Sequence, residues 1–403
     1  MNTPLLNPYC AGALSPVPGL RVSVLVPTFN RANYLAECLD SLFAQSMAPL
    51  EVIVIDDGSE DGTAELLQRY GNRIRSVRQA NSGKSVAVNR GLSLAQGDLI
   101  WIFDDDDVAL PHAIASRVAA LLARPDAGFA YGPHFYGSDA ADGRVRQGRL
   151  HQLPEHRPET LFSELMKGCF FHLGTALVRA DIYRKVGGFD TDLVSSEDYD
   201  MQLRLARACP AAFSPQPSFI FRQHTGLRGA KSVRYGGAQR AQGFRHFDQR
   251  VGEKLRASLP LGEYLVPRRR YVADRYLQRQ AFLARMTVMA SKGCLVEMIE
   301  DLQSALMLLP ADKAIPPAER QVITRAVCTG YAGNAIDDHW GEFKSLLFKL
   351  PPSAAARSAV RSIAVGLFRL ARGYPDTPAV RLLRLKAACR VAVGSFKLPG
   401  FGA

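Results

Sequence analysis

Apolar and polar positions follow two rhythms over the first 130 residues. Short apolar, β-branched runs occur at 21–27 (RVSVLVP), 51–56 (EVIVID) and 98–103 (DLIWIF), and 73–79 (RIRSVRQ) reads as a further strand. Between the first two, NYLAECLDSLFAQS sets Leu35, Cys38, Leu39, Leu42 and Phe43 at helical spacing. DGTAELLQRYG opens on Asp61, a possible N-cap, and stops on Gly71. KSVAVNRGLSLAQG and residues 111–123 complete the helices. Strand and helix in strict alternation imply a parallel sheet covered on both faces. Ligands in such sheets bind beyond the carboxyl ends of the strands.

The rhythm then changes. Between about 130 and 225, short strands (GFAYG, TALVRA, SFIFRQH) mix with helices (PETLFSELMKG, DYDMQLRLARA). Beyond about 240 the chain reads as helical throughout, rich in Ala, Leu and Arg and cut by prolines into helix-sized pieces. EMIEDLQSALMLLP suggests stacked helix pairs, without a firm repeat. The expected organisation is a flexible lead-in at 1–19, an α/β domain at 20–226 and a basic helical domain at 227–403.

Composition narrows the class. Of 403 residues, 47% are apolar and 22% charged, as in soluble globular proteins. No apolar run reaches membrane-spanning length. The first residues lack a positive start and a compact apolar core, so they do not read as a secretory signal. Seven cysteines (Cys10, Cys38, Cys169, Cys209, Cys294, Cys328, Cys389) include no CxxC pair and are expected as buried, reduced thiols of a cytoplasmic protein. The net charge of +12 is uneven: residues 1–226 hold 21 basic and 25 acidic residues, residues 227–403 hold 29 and 13. The basic half has two readings, solvated helix faces or attraction to an anionic partner such as a membrane surface. RSAVRSIAVGLFRLARG is basic and amphipathic, as an interfacial helix or a core-facing one would be.

Candidate chemistry gathers just after the strands. Asp104, Asp105, Asp106 and Asp107 follow DLIWIF. Clustered carboxylates repel, and a divalent cation with oxygen ligands is one reason to hold them together; a solvated acidic turn is the other reading. Asp56 and Asp57, followed by Gly58, suit a base or ribose contact, and equally an ordinary turn. Pro27, Thr28 and Asn30 close the first strand. Glu197 and Asp198 begin a helix, either as cap residues or with a general base among them. His224 ends SFIFRQH as a ligand or as a structural histidine.

Taken together the segments are more specific. VSVLVPTFNR, EVIVIDDGSEDGT, NSGKSVAVNRGL, GDLIWIFDDDDVALP, LVRADIYRKVGGFD, SSEDYDMQLRLA and FRQH occur in this order. The pattern resembles the family 2 glycosyltransferases with the GT-A fold over about residues 20–226. The resemblance implies a Rossmann-like, mostly parallel sheet, here followed by an all-helical C-terminal domain. It implies that Pro27, Thr28, Asn30, Asp56 and Asp57 meet the nucleoside, that Lys84, beside Gly83, approaches the phosphates, and that Asp104 and Asp105 lie toward ribose and metal. Asp104, Asp106 and His224 would hold Mn²⁺ or Mg²⁺, and Asp198 would be the catalytic base. The four aspartates differ from the family, whose second position is often small, and leave the division of labour open.

The implied function is metal-dependent, inverting transfer of a sugar from a nucleotide-diphosphate donor to a hydroxyl of a saccharide, lipid-linked or protein acceptor. The implied setting is bacterial surface-polysaccharide assembly, in the cytoplasm or peripherally on the inner face of the membrane. A nucleotidyltransferase would need a glycine-rich basic loop after the first strand, where PTFNRANY has no glycine. The other alternative is a non-catalytic polyanion- or membrane-binding protein with a degenerate transferase domain. No nucleic-acid motif is present.

Overall fold

The computed structural model describes residues 20–154, 158–224 and 237–373, together with Arg384, Ala388 and Val391. The lead-in at 1–19, the expected boundary at 226/227, Cys10 and Cys389 lie outside the described residues. The chain divides into two compact units. The first comprises the described parts of 1–162 and 169–244, the second those of 163–168 and 245–403.

The first unit begins with β1 (Val22–Thr28), α1 (Ala32–Phe43), β2 (Glu51–Asp56), α2 (Thr63–Tyr70), β3 (Arg75–Arg78), α3 (Lys84–Leu94) and β4 (Leu99–Ile102). It continues through β5 (Val108–Ala109), α4 (Ala113–Ala123), β6 (Phe129–Tyr131), β7 (Phe135–Asp139) and β8 (Val145–Leu150); then, after α5 (Leu161–Lys167), most of which belongs to the second unit, through β9 (Leu177–Arg179), α6 (Ala180–Val186), α7 (Glu197–Ala208), β10 (Ala211–Phe213) and β11 (Phe219–Gln223). Seven strands form the main sheet in the order β10-β6-β9-β4-β1-β2-β3. β9 alone runs against its neighbours β4 and β6; the other pairings are parallel. A second sheet has the order β5-β11-β7-β8, and its β11 is the strand read from sequence as SFIFRQH.

Burial follows from the two rhythms. Every residue of β1 is buried. Val22, Val24 and Val26 share a core with Leu35, Leu39 and Leu42 of α1 and Ile114 and Leu121 of α4. The opposite face carries Leu25 and Ile55, against which Gly91 of α3 packs so closely that a Cβ there would lie 2.8 Å from Ile55 Cδ1. The sheet is therefore covered on both faces, as two-sided apolar strands require.

Two expectations are corrected. Asp61 stands one position before the cap of α2, which is Gly62; its carboxylate still accepts from the Thr63 amide at 3.0 Å. The thiols are not all buried: Cys38, Cys209 and Cys294 are, Cys328 is half-buried and Cys169 is exposed.

The second unit is helical: most of α8 (Gly237–Ser258), then α9 (Arg275–Lys292), α10 (Leu295–Met307), α11 (Pro317–Ala326), α12 (Ala332–Asp338), α13 (Trp340–Phe348) and α14 (Ala354–Gly373). Asp274 caps α9 by accepting from the Leu277 amide, and Gly293 at φ 75° turns the chain into α10. Arg285 grips the fully buried Asp301 across that pair at 2.7 Å. The basic amphipathic stretch lies in α14, which buries Ala359, Ile363, Leu367 and Leu370 and leaves Arg361, Arg369 and Arg372 outside. Among the described residues no helix is long and apolar enough to cross a membrane.

Candidate active site

The carboxyl ends of β1, β2 and β4 lie side by side, because Thr28 pairs with Asp56 and Leu25 with Ile102. The polar residues that follow these strands therefore meet at one edge of the sheet, as expected for an open α/β fold.

At the β1–β2 end the polar groups brace one another. Asp57 is buried, and its carboxylate accepts from the Gly83 amide at 2.8 Å, the Ser82 amide at 2.9 Å, Gln79 Nε2 at 2.8 Å and Asn81 Nδ2 at 3.1 Å. It thus fixes the loop that launches α3 and Lys84. Gly58 permits the approach: at φ +81° a Cβ would sit 2.9 Å from the Asn81 amide nitrogen. Asp56 accepts from the Ser59 amide at 2.8 Å and pairs with Arg78 at 3.6 Å. Asn30, at φ 53°, accepts from the Glu60 amide at 2.7 Å. Asn30 and Asp56 join the ends of β1 and β2 into one rigid rim.

The four aspartates diverge after β4. Asp104 turns toward Lys84, 3.0 Å away, and His172, 3.8 Å away. Burial works against its charge, but Lys84 and His172 outweigh that and hold its carboxyl below the usual range. Asp105 turns toward Thr28 and Arg31 at the β1 end; burial, reinforced by the Asp106 charge, raises it to about 8. Asp106 meets His224 Nε2 at 2.8 Å. Asp107 accepts from the Arg222 amide at 2.9 Å. Carboxylate oxygens of Asp104, Asp106 and Asp107 lie within 4.8 Å of one another. Such a set of hard oxygen donors, with an imidazole beside it, suits Mg²⁺ or Mn²⁺.

Arg222 organises this loop and was read from sequence only as part of a strand. Its side chain is 1% exposed. Nε donates to the Asp106 carbonyl at 2.8 Å, while the two terminal nitrogens pair with Glu37 on α1 and Asp139 on β7. Its guanidinium also lies over the Tyr34 ring, 4.7 Å from the centroid. A charged residue inside the apolar run FIFRQ was the one local signal for this role.

Asp198 reaches the same place, with Lys84 3.4 Å away. It stands in the first turn of α7, after Ser196 at φ 63°. Asn89 of α3 exchanges two hydrogen bonds with the Phe189 backbone, at 2.6 and 2.9 Å, and so ties the loop before α7 to the helix that carries Lys84. Lys84 consequently spans Asp104, Asp198 at 3.4 Å and Glu197 at 3.6 Å. Burial disfavours its charge, yet the three carboxylates hold it well above the ordinary lysine range. Burial, then the Asp198 charge, raises Glu197 to about 7.

His172 completes the group. Trp101 Nε1 donates to the Gly174 carbonyl at 2.7 Å, and Gln202 of α7 to the Phe171 carbonyl at 2.9 Å. These bonds bring His172 to where Asp104, His172 and Asp198 place ligand atoms within 4.8 Å of one another. The approach of His172 to Asp104 depends on pairings more than 30 residues apart. The structure thus brings together Lys84, Asp104, Asp106, Asp198 and His224 with His172, and sets Pro27, Thr28, Asn30, Asp56 and Asp57 along the adjoining rim.

Residues 23–187 match the family model described as glycosyl transferase family 2. A protein from Rickettsia felis described as an uncharacterized glycosyltransferase is 28% identical over 236 residues, 57% of this chain and 36% of the relative. Glycosyltransferase GlyG of Streptococcus pneumoniae is 34% identical over 126 residues, 30% of this chain and 41% of the relative. The chain thus spans well under two thirds of the length of either relative. The crystal structure of S. aureus TarS 1–349 in complex with UDP-GlcNAc shares the fold at a TM-score of 0.53 and 18% identity, covering 81% of this chain and 91% of that one. The first unit has the GT-A fold, and a helical region follows it.

Proposed function

From the premise that the chain carries a family 2 glycosyl transferase domain, we propose that it moves a sugar from a nucleotide-diphosphate donor to an acceptor hydroxyl with inversion. The observation that carries this reading is the convergence of Asp198 and Asp104 on Lys84, at 3.4 and 3.0 Å. In this reading one carboxylate serves the acceptor and the other the diphosphate, and their shared contact with Lys84 supports placing both at one reaction centre.

In this mechanism Asp198 takes the proton of the acceptor hydroxyl, whose oxygen attacks the anomeric carbon as the bond to the nucleoside diphosphate breaks. Its Oδ2 faces Lys84, while Oδ1 is buried and accepts no hydrogen bond among the described residues. A single attack inverts the configuration. Thr28, Asp56, Asp57 and Asn30 form the rim on the nucleoside side, with Asp105 toward the ribose. Lys84 offers its charge to the phosphates from the first turn of α3, where a helix favours anions. Asp104, Asp106 and His224 are the residues that would hold a divalent cation, with Asp107 and His172 beside them. When bound, that cation supplies positive charge against the leaving diphosphate.

The acceptor belongs to the saccharide, lipid-linked or protein class, and surface-polysaccharide assembly is the setting that the family favours. A peripheral location on the inner face of the membrane fits the exposed arginines of α14. The clustering of the carboxylates that this reading calls for speaks for it over a degenerate transferase domain.

The test is a thermal-shift titration of nucleotide-diphosphate sugars with and without Mn²⁺. A ligand that binds only the folded state raises stability by RT ln(1 + [L]/Kd). Wild type should shift with one nucleotide class in a metal-dependent way, and Asp106→Ala should lose the metal dependence. A well-folded protein that shifts with none of them would overturn the proposal.

A further inference from the structure

Strand β11 presents opposite faces in alternation. Arg222 turns toward the aspartate loop, as described above, and Phe219 and Phe221 turn the other way, into a group of rings of which the transfer mechanism involves only His172. Phe221 lies 5.1 Å from His172 and 6.2 Å from Tyr136, centroid to centroid. Tyr136 lies 5.6 Å from His151, which stacks on His134 at 4.5 Å and 28°. His134 in turn stacks on Phe219 at 5.2 Å and 19°. His134 and Phe219 are buried beneath, whereas Tyr136, His151, His172 and Phe221 remain partly open.

A partly open aromatic surface needs a reason, because full burial would recover more apolar free energy. Here its position supplies one. His172 is its inner end, and there His172, Asp104 and Asp198 converge. His172 Nδ1 accepts from the Gly174 amide at 3.1 Å, so a neutral ring carries its proton on Nε2, facing the carboxylates. At the outer end Arg149 lies over Tyr136, 4.7 Å from its centroid. Burial keeps His134 and His151 neutral, which leaves the floor of the surface uncharged. Tyr136 stands at 83° to His151 and 81° to Phe221, so the open rings form an aromatic corner with an uncharged floor, and a corner that ends at the proposed general base suits a ligand with an apolar C–H face and hydroxyls around its edge. A pyranose ring has that shape.

We propose that Tyr136, His151 and Phe221 form the acceptor subsite and that the acceptor group seated there is a pyranose. The inference rests on the transferase reading above and specifies its acceptor. The C–H face packs into this corner against Tyr136, and one hydroxyl projects past His172 to Asp198. Tyr136 sets acceptor affinity and does not contribute to donor binding.

Saturation-transfer NMR on the full chain tests this, with methyl β-glucoside, methyl β-galactoside, methyl N-acetyl-β-glucosaminide and methyl α-rhamnoside as probes. At least one should receive saturation on its ring C–H protons. Tyr136→Ala should reduce that signal roughly fivefold, the range of one aromatic contact. Tyr136→Phe should keep it, and Tyr136→Leu, which preserves bulk for folding, should reduce it about as far as Tyr136→Ala does. The thermal shift with nucleotide sugar should be unchanged in all three. Equal saturation in wild type and Tyr136→Leu overturns the inference. So does a wild type that shifts with nucleotide sugar yet saturates no pyranoside. Failure of both measurements in folded protein overturns the transferase reading and takes the inference with it.

Discussion

Lys84 holds its ammonium 3.4 Å from the Asp198 carboxylate, although 114 residues separate them. The contact is built at both ends. The Asp57 carboxylate fixes the Ser82 and Gly83 amides, and so sets where α3 begins. Asn89, farther along the same helix, clasps the Phe189 backbone and sets the approach to α7. A single cation therefore lies between the carboxylate assigned to the base and Asp104, assigned to the diphosphate side.

Asp198→Asn removes the proton acceptor and keeps the size of the side chain. General-base catalysis is worth roughly 10²–10⁴-fold. kcat for transfer should fall by about that factor while the thermal shift with nucleotide sugar is preserved. Wild-type turnover in this variant would falsify the assignment of the base.

Lys84→Met leaves Asp104, Glu197 and Asp198 close together without their shared counter-charge. The phosphates also lose a cation at the start of α3. The Kd for nucleoside diphosphate should rise by roughly tenfold or more, as expected when about 1.4 kcal/mol of interaction is lost. Isothermal titration with UDP or GDP and Mn²⁺ reads this directly; an unchanged Kd would place Lys84 outside the phosphate site.

The strands most legible in sequence were β1, β2 and β4, whose apolar runs follow from burial on both faces. β7 and β8 were not legible. FYGSD and VRQGRL are mostly half-exposed or exposed, so neither the run nor the alternation that marks a strand is present. The acidic candidates were visible because charge stands out at the end of an apolar strand. Arg222 was not, because its value lies in partners 83 and 185 residues away, Asp139 and Glu37. His172 was hidden for the same reason: the β4–β9 pairing and the Trp101 bond that place it are products of the tertiary fold.

Arg222→Leu should test how far the aspartate loop depends on that clamp. Removing one partner of a buried ion pair costs about 3–5 kcal/mol, because the remaining charges stay desolvated. Glu37 and Asp139 are partly open to solvent, which places the loss toward the lower end. The urea midpoint should fall, and Arg222→Lys should recover only part of it, since an ammonium cannot reproduce the fork. In a cycle with Glu37→Gln the two losses should be less than additive. Strict additivity would mean that the pairing contributes nothing.

His134 makes a prediction about pH. Burial, with the nearby His172 and His151 adding to it, lowers its pKa from 6.5 to about 3 in the folded chain. The unfolded chain therefore binds more protons between those values, so stability rises with pH across that window. The contribution is fully present above about pH 6.5 and is lost progressively as the pH falls toward 3. At one and a half pH units below the unfolded value the loss is on the order of 2 kcal/mol. His151, also lowered, acts in the same direction. Phe in place of His134 keeps the stack on Phe219 and His151 but cannot take up a proton. Between pH 6.5 and 5 the melting temperature of His134→Phe should fall less steeply than that of wild type, whatever the offset at neutral pH. Carboxylates elsewhere titrate alike in both proteins, so the difference in slope isolates the imidazole. Parallel curves would show that His134 takes up its proton in the folded protein as readily as in the unfolded chain.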